Sequence, residues 1–154
     1  SRKYDPVYVL QGEETYYIDL ISSYIENNVL TDAEKGFNQV IVYGKDVTVN
    51  AILTHARRFP MMAERQVVIV KEAQDLAKTI DKLEAYAQNP QPTTVLVFAY
   101  KYKTLDKRKK VTKTLEKNGL VYESKKMYEN QVGQWINRVL QGRGYTIEPK
   151  ANAM

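Results

Sequence analysis

Short, strongly apolar runs recur along this chain, and they constrain its fold more than any other feature. Five runs stand out: VYVL (7–10), VIVY (40–43), VVIV (67–70), VLVFAY (95–100) and LVY (120–122). The middle runs are apolar at consecutive positions rather than at alternating ones, a pattern typical of strands that are covered on both faces. The sequence therefore predicts a buried parallel sheet.

Segments with helical spacing separate these runs. Apolar residues recur every three or four positions in 13–30, 50–59 and 75–89, which indicates amphipathic helices. Because strands alternate with helices, we expect a three-layer α/β domain with a five-stranded parallel sheet over residues 1–126.

The pattern changes after residue 126. A new helical face is followed by Pro149, which looks like the first turn of another helix before the chain stops. The apolar positions of that face are Val132, Trp135, Ile136 and Val139. We interpret 127–154 as the truncated start of a second domain, and the chain as an N-terminal fragment of a longer protein.

Composition excludes several classes of protein. The chain has no cysteine, which rules out a disulfide scaffold and thiolate chemistry and fits a reducing compartment. No apolar run approaches the roughly 18 residues that a membrane-spanning helix needs, and the first ten residues lack a signal-peptide pattern. We expect a cytoplasmic protein with no membrane partner.

The first strand–helix junction, QGEETYYID (11–19), is where an α/β protein of this kind would bind a nucleotide. A phosphate-binding loop needs the pattern G-x-x-x-x-G-K-[ST], of which only Gly12 is present. We expect Glu13 and Glu14 to occupy the first turn of the helix, where carboxylates interact well with the helix dipole but repel a phosphate. The junction is therefore expected to be an acid-capped helix start.

The end of the third strand gives an independent indication. Nucleotide-hydrolysing proteins of this type end the strand with an Asp that holds Mg²⁺, whereas this chain has Lys71 there. His55 is the only histidine, and Ser22 and Ser23 have no base nearby in the sequence. We therefore expect no catalytic residues, no metal and no cofactor; an active AAA+-type ATPase is the alternative.

Residues 101–126 carry most of the positive charge. They hold ten Lys or Arg and three acidic residues, a local excess of +7 in a chain of net charge +5. We expect a basic helix over 106–118 that packs on the sheet through Leu105, Val111 and Leu115. Its charged side is either a solvated surface or a phosphate-neutralising one, with Tyr100 and Tyr102 available for stacking. The candidate DNA or subunit contacts are Lys107, Arg108, Lys109, Lys110 and Lys113.

The connection RRFPMMAERQ (57–66) is unusually apolar for a turn between a helix and a strand. Phe59, Met61 and Met62 either fold back onto the core or project outward as a wedge. Pro60 would stiffen such a loop, and methionine side chains adapt well to a partner's groove.

Taken in order, these features resemble a known family. The α/β pattern, GEE (12–14) in place of a phosphate loop, FPMMAERQ (59–66) before VVIV, LDKRKK (105–110) and QWINRVLQGRGYTIEPKA (134–151) are similar to the delta subunit of bacterial DNA polymerase III. That family is the clamp-loader member related to AAA+ ATPases but unable to use ATP.

The resemblance implies a function. In that family, two apolar residues of this connection enter a pocket of the ring-shaped sliding clamp and favour its open form. The matching positions are Met61 and Met62, flanked by Phe59 and Arg65; many members have Leu or Phe at the wedge. The resemblance also implies that 127–154 begin a small helical lid domain. It implies further that the full protein assembles with other clamp-loader subunits and reaches DNA through them. This subunit itself is then not an enzyme.

Overall fold

A computed structural model describes residues 4–125. Within that range the chain forms one five-stranded sheet in the order β2-β3-β4-β1-β5, and every neighbouring pair of strands is parallel. The strands are β1 (Val7–Gly12), β2 (Gln39–Tyr43), β3 (Gln66–Lys71), β4 (Thr94–Lys101) and β5 (Leu120–Ser124). All five apolar runs are strands, so the predicted parallel sheet is confirmed.

Helices cover both faces of this sheet. The α-helices are α1 (Thr15–Asn28), α2 (Asp32–Asn38), α3 (Val49–Ala56), α4 (Glu84–Gln88) and α5 (Lys110–Asn118), and two 3-10 helices are Gly44–Asp46 and Ala73–Leu83. In the described part of the chain, no helix is both long and apolar enough to cross a membrane.

The core consists of two apolar layers, one on each side of the sheet. Tyr8 and Leu10 of β1 point to the layer that contains the buried side of α1. Val7 and Val9 point to the opposite layer, which contains α3, the 3-10 helix Ala73–Leu83, α4 and α5. Successive side chains of a strand point to opposite faces, and β1, β3 and β4 are buried along nearly their whole length. The three-layer α/β prediction is therefore confirmed.

Several predicted helices differ in detail. The segment 75–89 is mostly 3-10 helix and becomes α-helical only at Glu84; buried residues at spacings of three and four fit either helix type. The helix predicted over 50–59 ends at Ala56. The basic helix begins at Lys110 rather than at residue 106.

Helix α2 was not predicted from the sequence. It begins with a capping box in which Thr31 and Glu34 each bind the other's backbone N–H, a signal visible in the sequence as T-x-x-E. The helix is only seven residues long and contains Gly36, so its apolar periodicity is weak. The proposed lid segment 127–154 lies outside the described residues.

Candidate functional site

The backbone at the β1–α1 junction is bound by the chain itself. Gly12 N–H donates to the Lys103 carbonyl at 3.0 Å, and the Gly12 carbonyl accepts from Tyr102 N–H at 2.8 Å. In a phosphate-binding loop, backbone N–H groups at this position point at the ligand. Here both groups hold the loop that follows β4, so the Gly12 N–H is not available to a phosphate.

The two glutamates precede α1 rather than occupying its first turn, contrary to our expectation. Helix α1 begins at Thr15, and Glu14 is its N-cap, accepting a hydrogen bond from Tyr16 N–H at 3.2 Å. The predicted acid-capped helix start is therefore confirmed, with Glu14 as the capping residue. A carboxylate that caps the helix occupies the position at which an anion would otherwise bind.

A half-buried lysine that the sequence analysis missed lies beside this junction. Lys101 at the end of β4 pairs in register with Gly12 of β1. Its Nζ lies 2.9 Å from Asp19 Oδ1 and 3.3 Å from Glu72 Oε2. Burial lowers the pKa of Lys101, but its hydrogen bonds to Asp19 and Glu72 outweigh this, so the net pKa is raised. An internal cation therefore joins α1 to the segment after β3.

Lys71 forms a second ion pair at the same edge of the sheet. It is the last residue of β3, as predicted, and its Nζ lies 3.7 Å from Glu26 Oε1 of α1. A lysine here disfavours a divalent cation by charge repulsion. Among the described residues, no group of three or more His, Cys, Asp or Glu could hold a metal ion.

The ion pair at Lys101 predicts a dependence of stability on pH. The pKa of Glu72 is lowered, chiefly by the hydrogen bond from Gln74 and also by Lys101, against an opposing effect of burial. Because the folded-state pKa lies below the ordinary value, the stabilisation is complete above that value and is lost as the pH falls through the folded-state pKa. We expect Glu72→Gln to flatten the fall in unfolding free energy between about pH 5 and pH 3.

The effect of Glu72→Gln should be small, about 0.5 kcal/mol, since solvent screens this partly exposed pair. Urea unfolding at several pH values measures it. Glu116→Gln removes the same charge from an exposed position of α5 that has no ion pair in the described part of the chain, and should leave the pH profile unchanged. Equal profiles for the wild type and Glu72→Gln would contradict the prediction.

The connection between α3 and β3 projects its apolar side chains into solvent. Phe59 is 79% exposed, Met61 59% and Met62 95%. Arg65 is only partly exposed, and its guanidinium carbon lies 5.2 Å from the centre of the Tyr4 ring. Of the two interpretations of this loop, folding back onto the core is therefore wrong.

The base of this loop is fixed by Gln66, another residue that the sequence analysis missed. Its side-chain amide donates to the Arg58 carbonyl at 2.7 Å and to the His55 carbonyl at 3.0 Å, at the end of α3. The same amide lies 2.8 Å from Thr94 Oγ1, which itself donates to the Ala56 carbonyl at 2.6 Å. These bonds, made by a buried amide and a buried hydroxyl, satisfy carbonyls that the end of a helix leaves unpaired. The exposed apolar tip thus rests on a rigid base.

The basic segment is divided between ion pairs and solvent. Arg108 binds Asp106 through two hydrogen bonds of 3.1 Å, which together with the Arg108 backbone N–H lower the pKa of Asp106 to about 2. Lys109 Nζ lies 3.3 Å from Asp81 Oδ2. Of the five candidate contacts, Lys107, Lys110 and Lys113 are exposed and form no ion pair within residues 4–125.

The remaining predictions for this segment have mixed outcomes. Leu105, Val111 and Leu115 are buried, as expected for its apolar side. Tyr100 is also buried and cannot stack on a base, contrary to the prediction, whereas Tyr102 is exposed.

Comparison with known proteins identifies the family. A model of the family "DNA polymerase III, delta subunit" matches residues 8–125 of the chain. The chain belongs to this delta subunit family. The DNA polymerase III subunit delta of Bacillus subtilis strain 168 is 34% identical over 155 residues, which cover 95% of the chain and 45% of that protein. The chain thus spans about half the length of this delta-family relative.

Solved structures agree with the assignment. The Bacillus subtilis DNA clamp loader delta protein (YqeN) matches with a TM-score of 0.71 and 31% identity, covering 97% of this chain and 47% of that one. A DNA polymerase III gamma subunit-related protein from Thermotoga maritima matches with a TM-score of 0.55 and 13% identity, covering 93% and 51%. The second likeness concerns the fold alone. The α/β fold class predicted for this delta-family chain is confirmed by the likeness to the solved delta protein.

Proposed function

We propose that this delta-family chain binds the sliding clamp through the loop between α3 and β3 and favours the open form of the ring. The observation that carries the proposal is the exposure of Phe59, Met61 and Met62 on a loop whose base is held by buried hydrogen bonds. Exposed apolar residues that cluster on a rigid loop are typical of a protein-binding site.

The apolar area of the two methionines limits the binding free energy that the loop can contribute. Full burial of two methionine side chains yields about 3–6 kcal/mol before the cost of association. That alone gives weak binding, so other contacts must add to it. Phe59, which is also largely exposed, and the partly exposed Arg65 supply an aromatic ring and a cation beside the wedge.

Ring opening would follow from differential affinity. A ligand shifts an equilibrium only to the extent that it binds one state better than the other. If the pocket for the methionines is better formed in the open ring, the binding energy of the loop favours that ring. This mechanism needs no ATP hydrolysis by this subunit, which agrees with the self-bound junction at Gly12 and the lysines at the strand ends.

Release of the clamp from circular DNA tests this proposal. A fluorescent cognate clamp is closed around nicked circular DNA and mixed with excess chain in the absence of nucleotide. We expect the clamp to leave the circle faster as the chain concentration rises. On linearised DNA the clamp slides off without help, which provides the control. An unchanged release rate from circles at saturating chain would contradict the proposed ring opening.

The remaining partners are proposed for the full-length protein. By its family, it would act in the cytoplasm as a non-catalytic subunit, assemble with other clamp-loader subunits and reach DNA through the assembled loader. Lys107, Lys110 and Lys113 are exposed and carry the charge that a phosphate backbone or an acidic neighbouring subunit would attract.

A further inference from the structure

The tip of the apolar loop is held by a residue from a different part of the chain. Asn38, the last residue of α2, is only 2% exposed. Its Oδ1 accepts a hydrogen bond from Met61 N–H at 2.6 Å, and its Nδ2 donates to the Met61 carbonyl at 2.8 Å. One side-chain amide therefore binds both backbone polar groups of a proposed wedge residue.

Asn38 is itself well anchored. Its Nδ2 also donates to the Glu34 carbonyl at 3.0 Å, and α2 is fixed at its other end by the capping box of Thr31 and Glu34. The next residue, Gln39, begins β2 and pairs with Val67 of β3. The amide that holds Met61 is thus attached to both a capped helix and the sheet.

The next residue of the loop has an unusual backbone. Met62 has a φ of 57°, a left-handed conformation that is unfavourable for a residue with a side chain. Such a conformation persists when neighbouring contacts hold it in place. The two hydrogen bonds to the Met61 backbone lie immediately before Met62 in the chain. The Met62 side chain is more exposed than those of Phe59 and Met61.

We propose that Asn38 is a positioning residue for clamp binding, an inference that rests on the proposed function of the loop. It fixes the backbone of Met61 so that the wedge is ordered before the clamp arrives. Ordering one residue on binding weakens affinity by roughly 10-fold, and a loop that is already ordered avoids that loss. Removal of the Asn38 amide should therefore weaken clamp binding although Asn38 is buried.

The primary experiment compares the affinity of variants for the immobilised cognate clamp. We expect Asn38→Ala to bind about 10-fold more weakly than the wild type. Asn27→Ala is the matched control, since Asn27 donates a 2.8 Å bond to the Ser23 carbonyl on the exposed side of α1; it should bind like the wild type. Wild-type affinity of Asn38→Ala would overturn the proposal.

Asn38→Asp separates hydrogen bonding from packing. It keeps the size of the side chain but places a carboxylate oxygen against the Met61 carbonyl, so we expect it to bind at least as weakly as Asn38→Ala. If Asn38→Asp bound like the wild type, Asn38 would act by packing alone and the proposal would be wrong. Circular dichroism verifies that each variant is folded under the binding conditions.

A double-mutant cycle with Met62→Ser distinguishes positioning of the wedge from a merely structural role of Asn38. When the wedge side chain is absent, ordering its backbone brings little benefit, so Asn38→Ala should cost much less in the Met62→Ser background. Equal losses in both backgrounds would overturn the positioning role while leaving the proposed clamp binding intact. Wild-type affinity of Met62→Ser would instead contradict the proposed function, and this inference with it.

Hydrogen exchange tests the same contact without the clamp. Met61 N–H is bonded to Asn38 Oδ1 in the free chain, so it should exchange faster in Asn38→Ala, by about 10-fold or more. The amides of β3 should keep their wild-type rates. An unchanged rate at Met61 would show that the bond does not hold the loop, which would overturn the proposal.

Discussion

Replacement of Met61 and Met62 together by serine is expected to weaken binding to the cognate sliding clamp by at least about 100-fold. Each methionine contributes about 1.5–3 kcal/mol when it is fully buried, and 2.7 kcal/mol corresponds to a factor of about 100 in affinity. Met62 is 95% exposed in the free chain and Met61 59%, so most of that area is still available to a partner. Surface plasmon resonance with the immobilised clamp measures the change.

A matched control separates the wedge from general loss of apolar surface. Leu20 is an exposed apolar residue of α1, 42% accessible and outside the proposed contact, and Leu20→Ser should bind within about twofold of the wild type. The double variant should remain folded, because substitutions of exposed residues usually change stability by less than about 0.5 kcal/mol. Wild-type affinity of a folded Met61→Ser/Met62→Ser chain would remove these residues from the proposed site.

Gly12→Ala is expected to destabilise the fold by about 3–5 kcal/mol, a large part of the stability of an ordinary domain. Gly12 has a φ of +121°, which residues with a side chain rarely adopt. A Cβ there would lie 2.4 Å from the Ser124 carbonyl oxygen and 2.9 Å from Ser124 N. Both atoms belong to the backbone of β5, so a side-chain movement cannot relieve the clash.

Gly36→Ala is the control and should instead raise the free energy of unfolding. Gly36 lies in α2, and a Cβ added there would meet nothing within 4 Å. Alanine in a helix is more favourable than glycine by up to about 1 kcal/mol. Urea unfolding of both variants measures the difference. A Gly12→Ala chain as stable as the wild type would mean that β1 and β5 approach less closely than described.

Gly12 and the ion pair of Lys101 with Glu72 lie in the same region, since Gly12 and Lys101 are paired in register. In place of a nucleotide, the chain uses its own groups there: the backbone of Lys103 and Tyr102, and the side chains of Lys101 and Glu72. A stable sheet edge therefore does not require a bound phosphate. This agrees with the proposed role of the α/β fold as a scaffold for the clamp-binding loop.

Much of the architecture could be predicted from local patterns. The apolar runs at 67–70 and 95–100 are strands because consecutive apolar residues suit a sheet covered on both faces. Helix α1 follows from its spacing. In contrast, the helical spacing of 75–89 could not separate 3-10 from α-helix, since buried residues three and four apart fit both.

The candidate site was only partly predictable. The sequence indicated an apolar loop and a missing phosphate loop, but not the partners of Asn38, Gln66 or Lys101. The bonds of Asn38 with Met61, of Gln66 with Thr94 and of Lys101 with Glu72 join residues 23 or more positions apart. Such pairs depend on which strands are neighbours, and local spacing carries no information about that.

The sequence by itself determined that the chain forms an α/β domain and that its nucleotide-binding position lacks the required glycines, lysine and aspartate. Those properties depend on residue type and local periodicity. Only the tertiary structure decided whether Met61 and Met62 face the core or solvent. An apolar connection is compatible with either arrangement of these side chains. They face solvent because the buried amides of Asn38, at the end of α2, and Gln66, at the start of β3, hold the backbone of the loop.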